Sequence, residues 1–332
     1  MPRTLSESEI LLRVDDLGVT YRAGKSDLPV ARNLSFEIYP GEVVGLLGES
    51  GSGKTTTALG LLKLLPMSAA LKGHARFRGV ELMEASEATL QRIRGAQISF
   101  VPQEPLLSLN PVIRVIDQVS AVVRAHTRLT GGECRQKARA VLEQVGLDTE
   151  RLHRSYPHQL SGGQRQRVLI AQAIVCRPSL VIADEPTGSL DAESEQAILV
   201  LLRSLVDQLG ASLMLITHDP RILAAIADRV MVMYAGKIVE SGRRAEVLEA
   251  PLHPYTRGLL QCVLDKPEGG GKPRDRHLPA IEGGLPDFGE IPPGCPFEPR
   301  CHDRLPCCRE AEPAAVLSGS QQIACFLYGR RQ

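Results

Sequence analysis

Apolar residues along the chain fall into two kinds of run, and the alternation of the two sets the expected fold. Short unbroken stretches at 43–47, 98–101, 180–183 and 212–216 are bounded by glycine, proline or polar turns. Each predicts a buried parallel strand. Between them the apolar positions recur at helical spacing. One helix runs from Lys54 to Leu65, 114–153 is mostly helical, another helix ends near Cys176, and one spans 193–209. Within 114–153, Val115, Ile116, Val119, Val122 and Val123 make one apolar face. Ala138, Val141, Leu142 and Val145 make another, which stops at Gly146. Strand and helix in turn predict an α/β sheet with a mainly helical insert at about 105–175.

The two ends read differently. Residues 11–14 and 34–38 alternate loosely between apolar and polar, with a turn-rich break at 23–27, and predict two or three further strands. Residues 75–79 add another, and 228–242 read as a final strand pair that turns at Ala235-Gly236 and completes the sheet. Beyond it, 264–292 is rich in glycine, proline and charge, the composition of a linker or exposed extension. No internal repeat is evident.

The junction at 48–55 brings chemistry into this frame. Gly48-Glu49-Ser50-Gly51-Ser52-Gly53-Lys54-Thr55 matches G-x-x-x-x-G-K-[ST] at every fixed position, between a predicted strand and a predicted helix. Glycine lets the backbone wrap a phosphate with no Cβ in the way, so several N–H groups converge on one anion. The helix start adds partial positive charge. Lys54 can reach the β- and γ-phosphates as a point charge, Thr55 offers a hydroxyl to Mg²⁺, and Thr56 follows in the helix. This is a nucleotide-binding loop.

Other candidates stand at the carboxyl ends of predicted strands, where ligands of α/β sheets gather. Asp184 ends one such strand and is placed to hold Mg²⁺, directly or through water; Glu185, next to it, can polarise an attacking water. Gln103 and His218 end two others and can extend towards the γ-phosphate. For Tyr21 two readings stay open, a ring that stacks on adenine and a plain strand tyrosine. Ser161-Gly162-Gly163-Gln164 opens a helix and makes a second anion-binding helix start. One mononucleotide fold needs only one phosphate cradle, so the second is expected to face a nucleotide held by another chain.

Composition narrows the class. The 332 residues suffice for one large domain and a smaller one. Lys+Arg 39 against Asp+Glu 38 implies no polyanion partner, and 4% aromatic residues with no Trp argue against a stacking platform for nucleic acid. No stretch approaches the ~20 apolar residues that span a bilayer, and the start of the chain lacks an apolar signal core. A soluble cytosolic protein is expected. Of the eight cysteines, Cys134, Cys176 and Cys262 are scattered and read as small apolar fillers. Cys295, Cys301, Cys307, Cys308 and Cys325 crowd the tail, where metal binding is the commoner use in a reducing compartment. Their spacing leaves an iron–sulfur centre, zinc and free thiols all open.

Taken together, the first ~250 residues resemble the nucleotide-binding subunit of ABC transporters. Tyr21 matches the adenine-stacking aromatic, Gly48 to Thr55 the Walker A loop, Gln103 the Q-loop, and Leu160-Ser161-Gly162-Gly163-Gln164 the signature motif. Leu180 to Asp184 with Glu185 match Walker B and the catalytic glutamate, Ser189-Leu190-Asp191 the D-loop, and His218 the switch histidine. The resemblance implies two such domains closing head to tail, with ATP between Walker A of one and the signature of the other. Residues 250–260 and 292–301 resemble the segment that follows the core in di- and oligopeptide importer ATPases, a group that includes nickel importers. One departure is Thr187-Gly188-Ser189, where these importers usually carry Thr-Thr-Ala.

The resemblance therefore implies an α/β P-loop NTPase with an ABC ATPase core at 1–250, an antiparallel β layer, the helical subdomain, and a small Cys-rich C-terminal extension at 251–332. It implies an ATPase that uses ATP and Mg²⁺, with Thr55, Gln103 and Asp184 on the metal and Glu185, His218 and Gln103 in catalysis. Glu49, Ser50, Gly51, Ser52, Gly53, Asp191 and the signature residues contact nucleotide. Cys295, Cys301, Cys308 and Cys325 follow the spacing associated in the subfamily with a [4Fe–4S] cluster, Cys307 being the spare. The implied partners are a second, different ATPase subunit, membrane permeases and, indirectly, a solute-binding protein, with no nucleic acid. The implied place is the cytoplasmic face of the inner membrane. Two other functions fit less well: a soluble ABC subunit of a multi-enzyme complex, such as one in phosphonate metabolism, and a nickel importer ATPase.

Overall fold

The computed structural model describes residues 10–23, 26–152, 154–188, 190–264 and 281–329. The chain forms two compact units, Met1–Leu12 with Glu37–Val43 and Phe77–Ile216, and Arg13–Phe36 with Val44–Arg76 and Thr217–Gln332.

The first unit is built on three parallel strands, Ile98–Val101, Leu180–Asp184 and Ser212–Thr217, with Leu180–Asp184 in the middle. Every residue of the latter two is buried, so both faces are covered and the sequence reads as unbroken apolar runs rather than alternation. Register places Val101 beside Ala183 and Asp184 beside Ile216, which brings the strand ends level. The helical insert folds as Val115–His126, Gly131–Gln144 and Thr149–Leu152, followed by Gly162–Ile174. Helix Gly131–Gln144 starts with a full capping box. The Thr130 hydroxyl oxygen accepts the Glu133 N–H, and the Glu133 carboxylate accepts the Thr130 N–H at 2.7 Å. Helix Ala192–Leu209 ends on Gly210, whose φ of 62° is left-handed.

In the second unit the strands Ser26–Ile38, Leu12–Ala23 and Ala69–Phe77 lie side by side in that order. Separately, Val43–Leu47 runs parallel to Arg229–Tyr234, which turns back at Ala235-Gly236 into Lys237–Arg243. Ala235 and Gly236 have φ of 44° and 81°, the paired positive values of a tight hairpin. Two expectations are corrected here. The hairpin does not complete the sheet, because Gln321–Ile323 pairs antiparallel with Lys237–Arg243 and Val316–Ser318 pairs with Gln321–Ile323. A free edge strand presents unpaired N–H and C=O groups, and the tail satisfies them. The helix after the phosphate loop is also shorter than expected, Lys54–Leu61.

The tail is held by side chains as well. Glu312 pairs with both Arg32 (2.6 Å) and Lys237, and Gln321 donates to Glu240. Arg257 donates to the Tyr328 hydroxyl at 2.9 Å and pairs with Asp303. Most of the predicted linker, 265–280, lies outside the described residues. No described helix is long and apolar enough to cross a membrane.

Candidate nucleotide site

The phosphate loop leaves the buried strand Val43–Leu47 and enters helix Lys54–Leu61 within the second unit. Two of its glycines are required by space. A Cβ on Gly48 would collide with the Met233 carbonyl, and one on Gly53, at φ 104°, would sit 2.5 Å from the Val30 carbonyl oxygen. Lys54 is buried and its Nζ donates to the carbonyls of Gly48 and Glu49, both at 2.9 Å. The ammonium is thus folded back onto its own loop, at the centre of the curve where an anion would sit. The Ser52 hydroxyl is buried with no hydrogen-bond partner among the described residues. Thr55 is exposed at the first turn, whereas the Thr57 hydroxyl is used up on the Gly53 carbonyl. A cradle closed to side chains, an orphaned buried hydroxyl and an open threonine fit a Mg²⁺–phosphate group. Ser50 and Gly51 are exposed, Thr56 is half-buried, and Tyr21 is half-buried near the end of Leu12–Ala23.

In the first unit, Gln103 and Glu185 follow two neighbouring strands and meet. Gln103 Nε2 donates to Glu185 Oε2 at 3.0 Å. Asp184 is the last, buried residue of its strand. Glu185 then takes a left-handed φ of 42°, with its N–H held by the Ile216 carbonyl at 2.9 Å. A non-glycine residue adopts that conformation only where its surroundings impose it. Nothing in the sequence announces it. His218 is exposed, just past strand Ser212–Thr217; the Thr217 hydroxyl beside it accepts the Asp219 N–H at 3.0 Å.

Ser161 caps helix Gly162–Ile174. Its hydroxyl accepts the Gln164 N–H at 3.2 Å, and the Gln164 side chain accepts the Ser161 N–H at 3.0 Å. Cβ atoms on Gly162 and Gly163 would lie 3.5 Å from Leu190 and 3.4 Å from Ser194, so the two motifs adjoin. Asp191 caps the next helix, accepting the Ser194 N–H and hydroxyl at 2.9 Å each. The Ser194 backbone hydrogen bond, with its hydroxyl, holds the Asp191 carboxyl below its usual range. Ser189 lies outside the described residues.

The tail cysteines neighbour one another. Cys295 N–H donates to the Cys308 carbonyl at 2.7 Å, and Cys301, Cys308 and Cys325 all lie close enough to the Cys295 thiol to disfavour its ionisation. Burial pushes the Cys295 thiol up to about 12 and Cys301 up to about 11, and raises Cys325. Among the described residues, however, no group of three or more His, Cys, Asp or Glu is placed to hold a metal ion. As they stand, the four thiols are neighbours and not a coordination shell. Of the scattered cysteines, Cys134 is buried as a filler should be, but Cys262 is exposed.

Comparison with known proteins agrees with this geometry. Residues 31–188 match the ABC transporter family, and residues 239–308 match the oligopeptide/dipeptide transporter C-terminal region. The chain is 38% identical over 320 residues to the oligopeptide transport ATP-binding protein OppD of Salmonella typhimurium, covering 96% of this chain and 94% of that protein. It is 38% identical over 328 residues to the dipeptide transport ATP-binding protein DppD of Bacillus subtilis, covering 97% and 96%. Among solved structures, a dimeric bacterial ABC transporter cassette matches with a TM-score of 0.63 and 30% identity, over 70% of this chain and 98% of that one. A dimeric cassette in a post-hydrolysis state bound to ADP and Pi matches with the same TM-score and 29% identity, over the same shares of each chain. The chain belongs to the ATP-binding subunits of ABC transporters, in the branch that carries the oligopeptide/dipeptide transporter C-terminal region.

Proposed function

We propose that the protein is the ATP-hydrolysing, energy-coupling subunit of a bacterial importer for di- and oligopeptides. The observation that carries this is continuity: likeness to peptide-transport ATP-binding proteins runs through the core and on through the C-terminal region. A nickel importer ATPase and a soluble subunit of a metabolic complex are not favoured.

Within this reading Gly48 to Thr56 bind the phosphates of ATP, with Lys54 on the β- and γ-phosphates and Tyr21 against adenine. Thr55, Gln103 and Asp184 hold Mg²⁺, which supplies charge neutralisation when bound. Glu185 orients and polarises the attacking water, and Gln103 and His218 sense the γ-phosphate. What supports the first of these is the 3.0 Å hydrogen bond that keeps Gln103 on Glu185. Ser161 to Gln164, and Asp191 beside them, face the nucleotide of a second ATPase subunit, in our reading a different chain. The family works through membrane permeases, and the exposed apolar residues Leu106, Leu107, Val112 and Ile113 after Gln103 suit such a contact. The protein then sits at the cytoplasmic face of the inner membrane, with a solute-binding protein delivering peptide. We place the end of the ATPase core near residue 250, with the helical subdomain at about 105–175.

Family resemblance also carries a [4Fe–4S] cluster, or zinc in its place, on Cys295, Cys301, Cys308 and Cys325; their mutual proximity supports it. Metal analysis of anaerobically purified protein decides this: iron with sulfide supports the cluster, and metal-free protein removes both. Function is tested by deleting the gene and following uptake of labelled dipeptide and of nickel. Loss of peptide uptake alone is expected, and intact peptide uptake overturns the reading.

A further inference from the structure

The loop residue Glu49 is an oddity for a site built to hold a triphosphate. A carboxylate two positions into the anion cradle repels the ligand for which the glycines, Lys54 and the helix start are arranged. The structure shows what answers it. The Arg300 guanidinium lies 3.1 Å from the Glu49 carboxylate, with only 7% of the arginine side chain exposed. Arg300 is fixed from the other side as well: its Nε donates to the Glu282 carbonyl at 3.0 Å, and its plane lies near the Phe297 and Tyr234 rings. The main chain of Glu49 is tied too. Its N–H donates to the hydroxyl of Tyr255, a fully buried ring that packs at a tilt against Tyr234 and edge-on to Phe297. Both tethers come from beyond residue 250, from the C-terminal extension.

We infer that this extension completes the phosphate loop, with Arg300 cancelling and holding aside the Glu49 charge and Tyr255 fixing the Glu49 amide. Both are positioning residues: neither needs to touch nucleotide, and each acts through Glu49. The inference rests on the reading that 48–55 binds MgATP, and goes beyond it by giving the tail a part in the affinity. The ion pair is largely buried, so its loss leaves a carboxylate in the cradle with little water to screen it. An unmasked charge of this kind acts on the bound anion more than on the hydrolysis step.

The test is MgATP binding to the full-length chain by titration calorimetry, with melting temperature as a check on folding. Arg300→Met should weaken MgATP about tenfold, and Arg300→Lys, which restores the charge, should recover most of that. In a Glu49→Gln background, Arg300→Met should cost less than about twofold, since no carboxylate is left to mask. Glu49→Gln alone keeps Arg300 in place and should bind MgATP at least as tightly as the unsubstituted chain. Should Arg300→Met fail to fold, this single substitution still decides. Equal losses from Arg300→Met in both backgrounds, no loss at all, or weaker binding by Glu49→Gln would overturn the inference. If the unsubstituted chain does not bind MgATP, the assignment of the loop falls instead.

Discussion

Glu185 shows how much of a site rests on one backbone angle. The strand before it is straight and buried, and the chain must turn sharply to leave it, which puts φ at 42°. A left-handed glutamate costs of order 1–3 kcal/mol, held in place here by the Ile216 carbonyl on its N–H. The return is that its carboxylate meets the Gln103 amide at 3.0 Å. Glu185→Gln keeps an oxygen that can accept that hydrogen bond and removes only the charge. Steady-state ATP turnover should drop about 100-fold or more, with MgATP binding changed by less than about twofold. Turnover near that of the unsubstituted protein would remove Glu185 from the proposed role. The position of Glu185 at a strand end is legible in the sequence. Its conformation is not, because glutamate carries no preference for positive φ and the constraint comes from a neighbouring strand.

Among the elements, two helices begin on the same device and differ in what it serves. Thr130 with Glu133 and Ser161 with Gln164 each close a reciprocal pair of hydrogen bonds at a helix start. Thr130→Ala should cost about 1 kcal/mol of stability and leave turnover alone. Ser161→Ala should cost a similar amount and also lower turnover, since the serine is proposed to face a partner's nucleotide. Thermal melts beside ATPase assays on the assembled complex separate the two effects, and equal turnover in both variants would make Ser161 a cap and nothing more. The buried parallel strands were legible as apolar runs and the helix start at Ser161 as a serine before Gly-Gly, whereas the start at Thr130 lay hidden inside a stretch that reads as mostly helical. Ala69–Phe77 begins earlier than expected: its first six residues alternate between half-buried and exposed, but with alanine, leucine and glycine on the inner face the apolar contrast is weak. Strands 316–318 and 321–323 are three residues each, too short for any period; only the ladder offered by Lys237–Arg243 makes them strands. The contacts of Arg300 and Tyr255 with Glu49 join residues about 200 or more apart, a separation at which no local pattern speaks.

At the scale of the whole molecule the tail is part of what keeps the chain folded. His253, at its start, is buried, with Nδ1 accepting the Tyr255 N–H at 3.0 Å, and burial pushes its pKa down to about 4. The folded form therefore prefers the neutral ring, while the unfolded chain takes up a proton from about pH 6.5. Its contribution is complete above that pH and is lost as pH falls towards 4. Between pH 7.5 and 5 the loss is about 2 kcal/mol, visible as a lower urea midpoint at pH 5. The slope should flatten in His253→Asn, and equal midpoints at the two pH values would place the ring in water. The hairpin strand Lys237–Arg243 has one more lesson for anyone handling this protein. Cut short just after that strand, the ATPase would present a raw seam of amide and carbonyl groups along it, with Glu240 stripped of its partner Gln321. Such fragments would zip onto one another and drop out of solution even with every nucleotide-binding residue intact, and their silence in an assay would say nothing about catalysis.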